Sequence, residues 1–244
     1  MPRTTSIRSA LLIHGAGGGG WEWNLWRGVL RANGIHVCAP DLQPSAAGLA
    51  ATRFGDYEAQ MRAALSVLRS PRVVIGASLG GLVAMRVADL ADAVVLVNAL
   101  PPAPWHRELP PRDWPTIVPW RNNARLVSTL RSLPDSDEAT ALYAFRHWRD
   151  ESGAVLRQAY AGIQAEAPRC PTLFVVSSND EDVPPPLSVR IASAWCAEVV
   201  QTGSISHAGP LLSHTAAAIA GQTVAWLNRK GAAGGIQTAL TALA

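Results

Sequence analysis

Short apolar runs alternate with helix-period segments along this chain, and that rhythm restricts its fold more than any other feature. Ala10–Ile13, Ile35–Ala39, Val73–Ile75, Ala93–Val97, Thr172–Val176 and Glu198–Gln201 read as strands, most of them closed by Gly, Pro, Asn or Asp. Between them, Trp21–Arg31, Tyr57–Leu68 (with Asp56 as its N-cap), Gly80–Leu90, Pro186–Trp195 and Pro210–Leu227 have helical spacing. Strands that alternate with helices predict an α/β fold with a doubly wound, mostly parallel sheet of about six strands flanked by helices. Right-handed crossovers place helices on both faces of such a sheet.

The rhythm breaks once. From Pro101 to Glu166 the chain is rich in Pro, Trp and Arg and offers helical stretches without a convincing strand. An insertion between two strands of one sheet is the simplest account, because the strands on either side are too few for two separate sheets. The expected organisation is a core of residues 1–100 and 167–230, a helical cap over 101–166, and a loose Gly/Ala-rich tail over 231–244. Trp105, Trp114, Trp120, Trp148, Leu130, Leu133 and Phe145 equip the insertion to roof an apolar pocket, although most of them suffice as its own small core.

Apolar residues make up 48% of the 244 residues and charged residues 16%, which is a globular composition. The net charge of +3 comes from scattered arginines, with Lys230 the only lysine, so no nucleic-acid partner is expected. The dominance of Arg over Lys is consistent with a GC-rich bacterial genome. Cys38, Cys170 and Cys196 are odd in number and unrelated in spacing, which predicts neither a disulfide framework nor a zinc site. No cofactor or metal is expected. The apolar run after Arg3 and Arg8 is too short for a signal peptide or a span, so the expectation is a cytoplasmic protein without a membrane partner.

Gly76-Ala77-Ser78-Leu79-Gly80 is a G-x-S-x-G pentapeptide set between a strand and a helix. In that setting the serine occupies a sharp turn and its flanking glycines allow the strand and helix to close around it. The hydroxyl is lifted out of the sheet to a helix N-terminus, where developing negative charge is favoured. A hydroxyl needs a base, and the base an orienting acid, in the chain order Ser, acid, His. His106 and His147 lie in the insertion. His207 follows the last strand in a Gly/Ser loop at the carboxyl edge of the sheet, and is preferred to His214 in the following helical region. The acid belongs in the loop after the preceding strand, where Asp180, Glu181 and Asp182 stand in a row; the pattern alone does not choose among them.

From Leu11 onward the chain resembles the α/β-hydrolase superfamily, in its small capped esterase-like branch. His14-Gly15-Ala16 through Trp21-Glu22-Trp23 is similar to the H-G-A-x4-W-x-W segment of plant methyl-ester esterases and hydroxynitrile lyases. The elbow departs from the G-H-S-x-G-G usual there, since Ala77 replaces the His. Many members also have two strands before the H-G segment, for which there is too little chain here. The resemblance implies that the acid stands four residues before the Pro of a D-x-x-V-P turn, which matches Asp180 with Val183 and Pro184 and makes Asp182 second choice. It also implies an oxyanion hole formed by the backbone N–H groups of Ala16 and Leu79.

Taken together, these readings predict a serine hydrolase that cleaves a carboxylic ester of a fairly hydrophobic small molecule through an acyl-enzyme, with Ser78, Asp180 and His207 as the triad. A thioesterase or lactonase would use the same residues, and a non-catalytic ligand-binding protein of the same fold is the alternative from another class. A dehalogenase or epoxide hydrolase is disfavoured by Ser in place of Asp at the elbow, and a hydroxynitrile lyase by the position of Lys230. Arg107, Arg121, Arg125 and Arg149 are candidates to meet a substrate anion.

Overall fold

The computed structural model describes residues 6–241, with side chains as far as 231. Among the described residues there are eight strands: β1 (Ser9–Ile13), β2 (His36–Cys38), β3 (Arg72–Ala77), β4 (Ala93–Val97), β5 (Ile117–Val118), β6 (Glu151–Ser152), β7 (Thr172–Ser177) and β8 (Glu198–Thr202). Six of them form one parallel sheet in the order β2-β1-β3-β4-β7-β8. β1 and β4 are buried along their whole length, as parallel strands covered on both faces must be. β2 and β8, at the edges, are only partly buried.

Strand side chains alternate in direction, so each strand feeds two separate cores. Leu11, Ile13, Val74, Leu96, Phe174 and Val176 face helices α2 (Phe54–Ser66), α3 (Leu79–Arg86) and α7 (Pro185–Ala194). Ala10, Leu12, Val73, Ile75, Val95 and Val97 face α1 (Asn24–Ala32) and α9 (Ala216–Thr241). Trp23 and Trp26 are fully buried in this second core, and the Trp26 indole donates to the Pro210 carbonyl at 2.8 Å.

Between β4 and β7 the chain leaves the sheet. This stretch contains a 3-10 turn at Trp105–Glu108, β5, α4 (Leu126–Ser132), α5 (Glu138–His147), β6 and α6 (Gly153–Gly162). β5 and β6 pair antiparallel, an exception to the expected absence of strands; with two residues each they have no periodicity to betray them. α2 begins a turn earlier than its apolar repeat implies. Asp56 is therefore not the N-cap but accepts the N–H of Arg53, the residue in that position, at 2.7 Å. The expected last helix is divided into α8 (Gly209–Leu212) and α9, with His214 exposed between them. α9 continues as helical backbone through Thr241, into the stretch expected as a tail; residues 242–244 lie outside the described residues. No helix among the described residues is long and apolar enough to cross a membrane.

α3 lies unusually close to the sheet. A Cβ on Gly76 would stand 2.1 Å from the Gly80 oxygen, and one on Gly80 would stand 2.3 Å from the Ile13 oxygen. Both obstacles are backbone and cannot rotate away. Gly76→Ala is expected to destabilise the protein by about 2–3 kcal/mol, the range for overpacking a tight core. Urea unfolding of the variant beside the exposed control Gly28→Ala, which meets nothing within 4 Å, measures the difference.

Candidate active site

Four segments converge at the carboxyl edge of the sheet. β1 ends in His14 and the glycine loop, β3 in Ser78, β7 in the acidic turn, and β8 in the loop that carries His207. Ser78 is at φ 52°, ψ −121°, a conformation that residues other than glycine rarely adopt. Its N–H donates to Val97 O at 3.0 Å, and its own carbonyl accepts from Leu100, Gly81 and Leu82. The strained residue is thus held by backbone on all sides.

Asp180 is 5% exposed and uses both carboxylate oxygens. Oδ1 accepts the N–H groups of Asp182 at 2.8 Å and Val183 at 3.0 Å, and Oδ2 accepts from His207 Nδ1 at 2.7 Å. With Nδ1 donating, Nε2 is left as the basic nitrogen. Burial lowers the His207 pKa, but the charge and hydrogen bond of Asp180, helped by Asp182 and Glu22, outweigh it and the pKa is raised. Asp182 is turned away into an ion pair with Arg112, and Glu181 is exposed. Asp180, Asp182 and His207 bring metal-ligand atoms within 4.8 Å of one another, but those groups are committed to these bonds.

Ser78 and His207 border the same cavity of about 340 Å³. No hydrogen bond joins them among the described residues; such contacts are often long before substrate binds. Gly15 and Ala16 form the adjoining wall, and a Cβ on Gly15 would lie 3.2 Å from Ser78 Cβ. Neither the Ala16 nor the Leu79 N–H donates to another protein group among the described residues. The cavity's other walls carry Trp114, Trp120, Trp148, Leu133, Leu156, Tyr160 and Leu211. Of the four candidate arginines, only Arg125 lines it. Arg149 donates to Leu42 O and pairs with Asp41 at 3.4 Å. His106 packs on Gly162 and His147 stacks on Tyr143, at a distance from this chemistry. Lys230 pairs with Glu198 at the start of β8, the opposite edge of the sheet.

Asn98 and Asp135, which arrange the site, left no local mark in the sequence, whereas His14 stood in the H-G-A segment. Asn98, at φ 42°, donates through Nδ2 to Ser177 Oγ and to the His207 carbonyl, both at 2.8 Å. Asp135 of the insertion accepts from Ser206 Oγ at 2.7 Å and Ile205 N at 3.0 Å, holding the same loop from the other side. His14 has Nδ1 on Gly15 O at 2.7 Å and accepts Leu42 N–H at Nε2 at 2.8 Å. Burial pushes its pKa down to about 4, so it is a neutral strut.

The parallel sheet carries a strained serine at the β3–α3 turn and a His–Asp pair on the loops after β7 and β8, an arrangement of the α/β class. A sequence model described as the Alpha/beta hydrolase family matches residues 10–222, and the chain belongs to that family. Among solved structures it is similar to a methylesterase from Arabidopsis (TM-score 0.68, 14% identity, covering 90% of this chain and 98% of that one). It is also similar to a pyrethroid hydrolase from Sphingobium faniae (0.72, 20%, 91% and 98%) and to polyneuridine aldehyde esterase (0.66, 16%, 84% and 94%). At these identities the likeness is one of fold. No curated protein matches the chain.

The raised pKa of His207 has a stability consequence. A base whose folded pKa lies above its unfolded one stabilises the fold fully below the ordinary imidazole range and loses that contribution as pH rises through the folded value. Asp180→Asn is expected to lower the His207 pKa and to flatten this part of the stability–pH curve. Ring-proton NMR titration checks the first effect and melting temperatures between pH 5 and 9 the second.

Proposed function

We propose that the protein is a serine hydrolase that cleaves a carboxylic ester with at least one apolar half, through an acyl-enzyme. One observation carries the reading: a histidine oriented by a buried carboxylate shares a cavity with a serine in the strained elbow conformation. In this reading Ser78 Oγ attacks the carbonyl and His207 Nε2 takes its proton, while Asp180 holds the imidazole and stabilises its charged form. The oxyanion forms against the Ala16 and Leu79 amides, and the positive end of α3 adds to their effect. His207 then returns the proton to the leaving alcohol, and water repeats the sequence to release the acid.

Residues 101–166 serve in this proposal as a cap on the core of residues 1–100 and 167–230. The aromatic and aliphatic lining from this segment supports an apolar substrate and keeps bulk water from the acyl-enzyme. The likeness in fold to a methylesterase and a pyrethroid hydrolase is in keeping with ester chemistry. Thioesters and lactones react through the same groups and belong on the same substrate panel.

A fluorophosphonate probe is expected to label the wild type and not Ser78→Ala; a folded wild type that stays unlabelled would defeat the proposal. Against p-nitrophenyl esters, Ser78→Ala should lower kcat by about 10⁶-fold and Asp180→Asn by about 10⁴-fold. Asp182→Asn should lower it far less, since its carboxylate is on Arg112.

A further inference from the structure

The glycine loop holds itself only weakly, with one turn bond from the Gly18 N–H to the Gly15 carbonyl at 3.2 Å around Ala16. Gly15 and Gly17–Gly20 surround Ala16, Gly17 is at φ +70°, and such a chain has many conformations of similar energy. Rotation of a single peptide plane would turn the Ala16 N–H away from Ser78, so something outside the loop must choose its orientation.

Two buried carboxyl groups contact the loop, and they take the two amides that flank Ala16. The Gly15 N–H donates to Glu22 Oε2 at 3.2 Å, and the Gly17 N–H donates to Glu151 Oε2 at 3.1 Å. Arg149, two residues before Glu151, donates its backbone N–H to the Gly17 carbonyl at 2.7 Å. Glu22 and Glu151 are 6% and 3% exposed, and Glu22 borders the cavity beside Ser78 and His207. Burying two acids is unfavourable unless they are put to use, and the reaction outlined above uses neither.

We propose that Glu22 and Glu151 are positioning residues that hold the oxyanion loop from two sides, each occupying an amide next to Ala16 so that the Ala16 N–H alone is left for the substrate's carbonyl oxygen. The inference rests on the serine-hydrolase reading. Because Glu151 comes from the insertion, the cap's placement and the oxyanion hole are made by the same contact.

The two acids differ in how they are held. Glu151 accepts at both oxygens, with Tyr57 O–H at 2.7 Å and Ser152 N–H at 2.8 Å on Oε1. A glutamine there has one acceptor oxygen and leaves a donor unmet. Glu22 accepts one bond only, and a glutamine can supply it. Burial pushes the Glu22 pKa up to about 8 against the opposing pull of the Gly15 N–H and of His207; Asp41 on the loop after β2 pushes it further up. Arg149 and Tyr57 are the charged or titratable neighbours of Glu151, whose pKa burial also raises. Glu22 is thus held toward its neutral form below about pH 8. Above about pH 8 it ionises beside the forming oxyanion, which opposes it, so activity should fall there. In stability the sign is the same. A carboxyl raised on folding favours the fold at low pH, and that benefit is lost as pH rises from the ordinary carboxylate range to about 8.

The test uses full-length wild type, E22Q, E22A, E151Q and E151A, read by fluorophosphonate labelling rate, by kcat and KM on a p-nitrophenyl ester, and by melting temperature from pH 5 to 9. E22A and E151A should lose about 10–100-fold in labelling rate and kcat with KM within about threefold, as expected for a misaimed oxyanion donor. E22Q should recover most of the loss in E22A, remove the fall in rate above about pH 8 and flatten Glu22's part of the melting-temperature decline between the carboxylate range and about pH 8, whereas E151Q should not recover E151A. Folded alanine variants that label at the wild-type rate overturn the proposal, as does an E22Q profile that keeps the alkaline fall. If an alanine variant does not fold, E22Q and E151Q decide. A wild type that labels while the variants behave like it defeats this inference alone; a wild type that never labels defeats the hydrolase reading as well.

Discussion

The site depends on how closely α3 approaches the sheet. Gly76, Gly80 and Gly81 have backbone or a Cβ within about 2–3 Å of where their own Cβ would stand, so the helix lies against β1, β3 and the chain after β4 as no other sequence would allow. That contact forces Ser78 into its positive-φ turn and anchors it by hydrogen bonds to Val97 and Leu100. It also sets Leu79 as the first residue of the helix. The strain is sustained because the surrounding sheet is buried on both faces and cannot relax locally.

Around this rigid elbow the other groups arrive on loops, and loops need external holding. Asn98, Ser177, Ser204, Ser206 and Asp135 form a polar web beneath and beside His207. Glu22, Glu151 and Arg149 do the same for the glycine loop. Both webs include a residue of the insertion, so the segment that lines part of the cavity also holds the two loops beside it. A buried polar network of this sort is favourable only when its members are satisfied together.

Much of the fold was legible in the sequence because its signals are local. Apolar runs ending in turn residues marked all six strands of the main sheet, and helical periods marked the helices around them. Departures fell where tertiary contact overrides local pattern: α2 starts at Phe54 with Asp56 in its first turn, and β5 and β6 exist only because residues 117–118 and 151–152 meet across the insertion. Ser78 and His207 were marked by local patterns and by the order of elements. Among the three acids, the choice of Asp180 needed a family pattern, and the structure adds why the geometry favours it: its Oδ1 is bound by the turn's own amides, which aims Oδ2 at His207.

By itself the sequence determined the parallel α/β architecture, the serine elbow and the late histidine, since each follows from short-range periodicity and from the steric needs of glycine. Only the tertiary structure decided which residues support them. Glu22 stands between two tryptophans and Glu151 in an Arg-rich insertion, and no local pattern singles out either one. Their burial against Gly15 and Gly17 comes from long-range packing: Trp23 is buried in the core, Trp21 packs edge-on against Trp148, and Gly17 and Glu151, 134 positions apart in sequence, are brought together by the insertion. A local pattern carries no record of such a contact, because its energy belongs to the assembled fold.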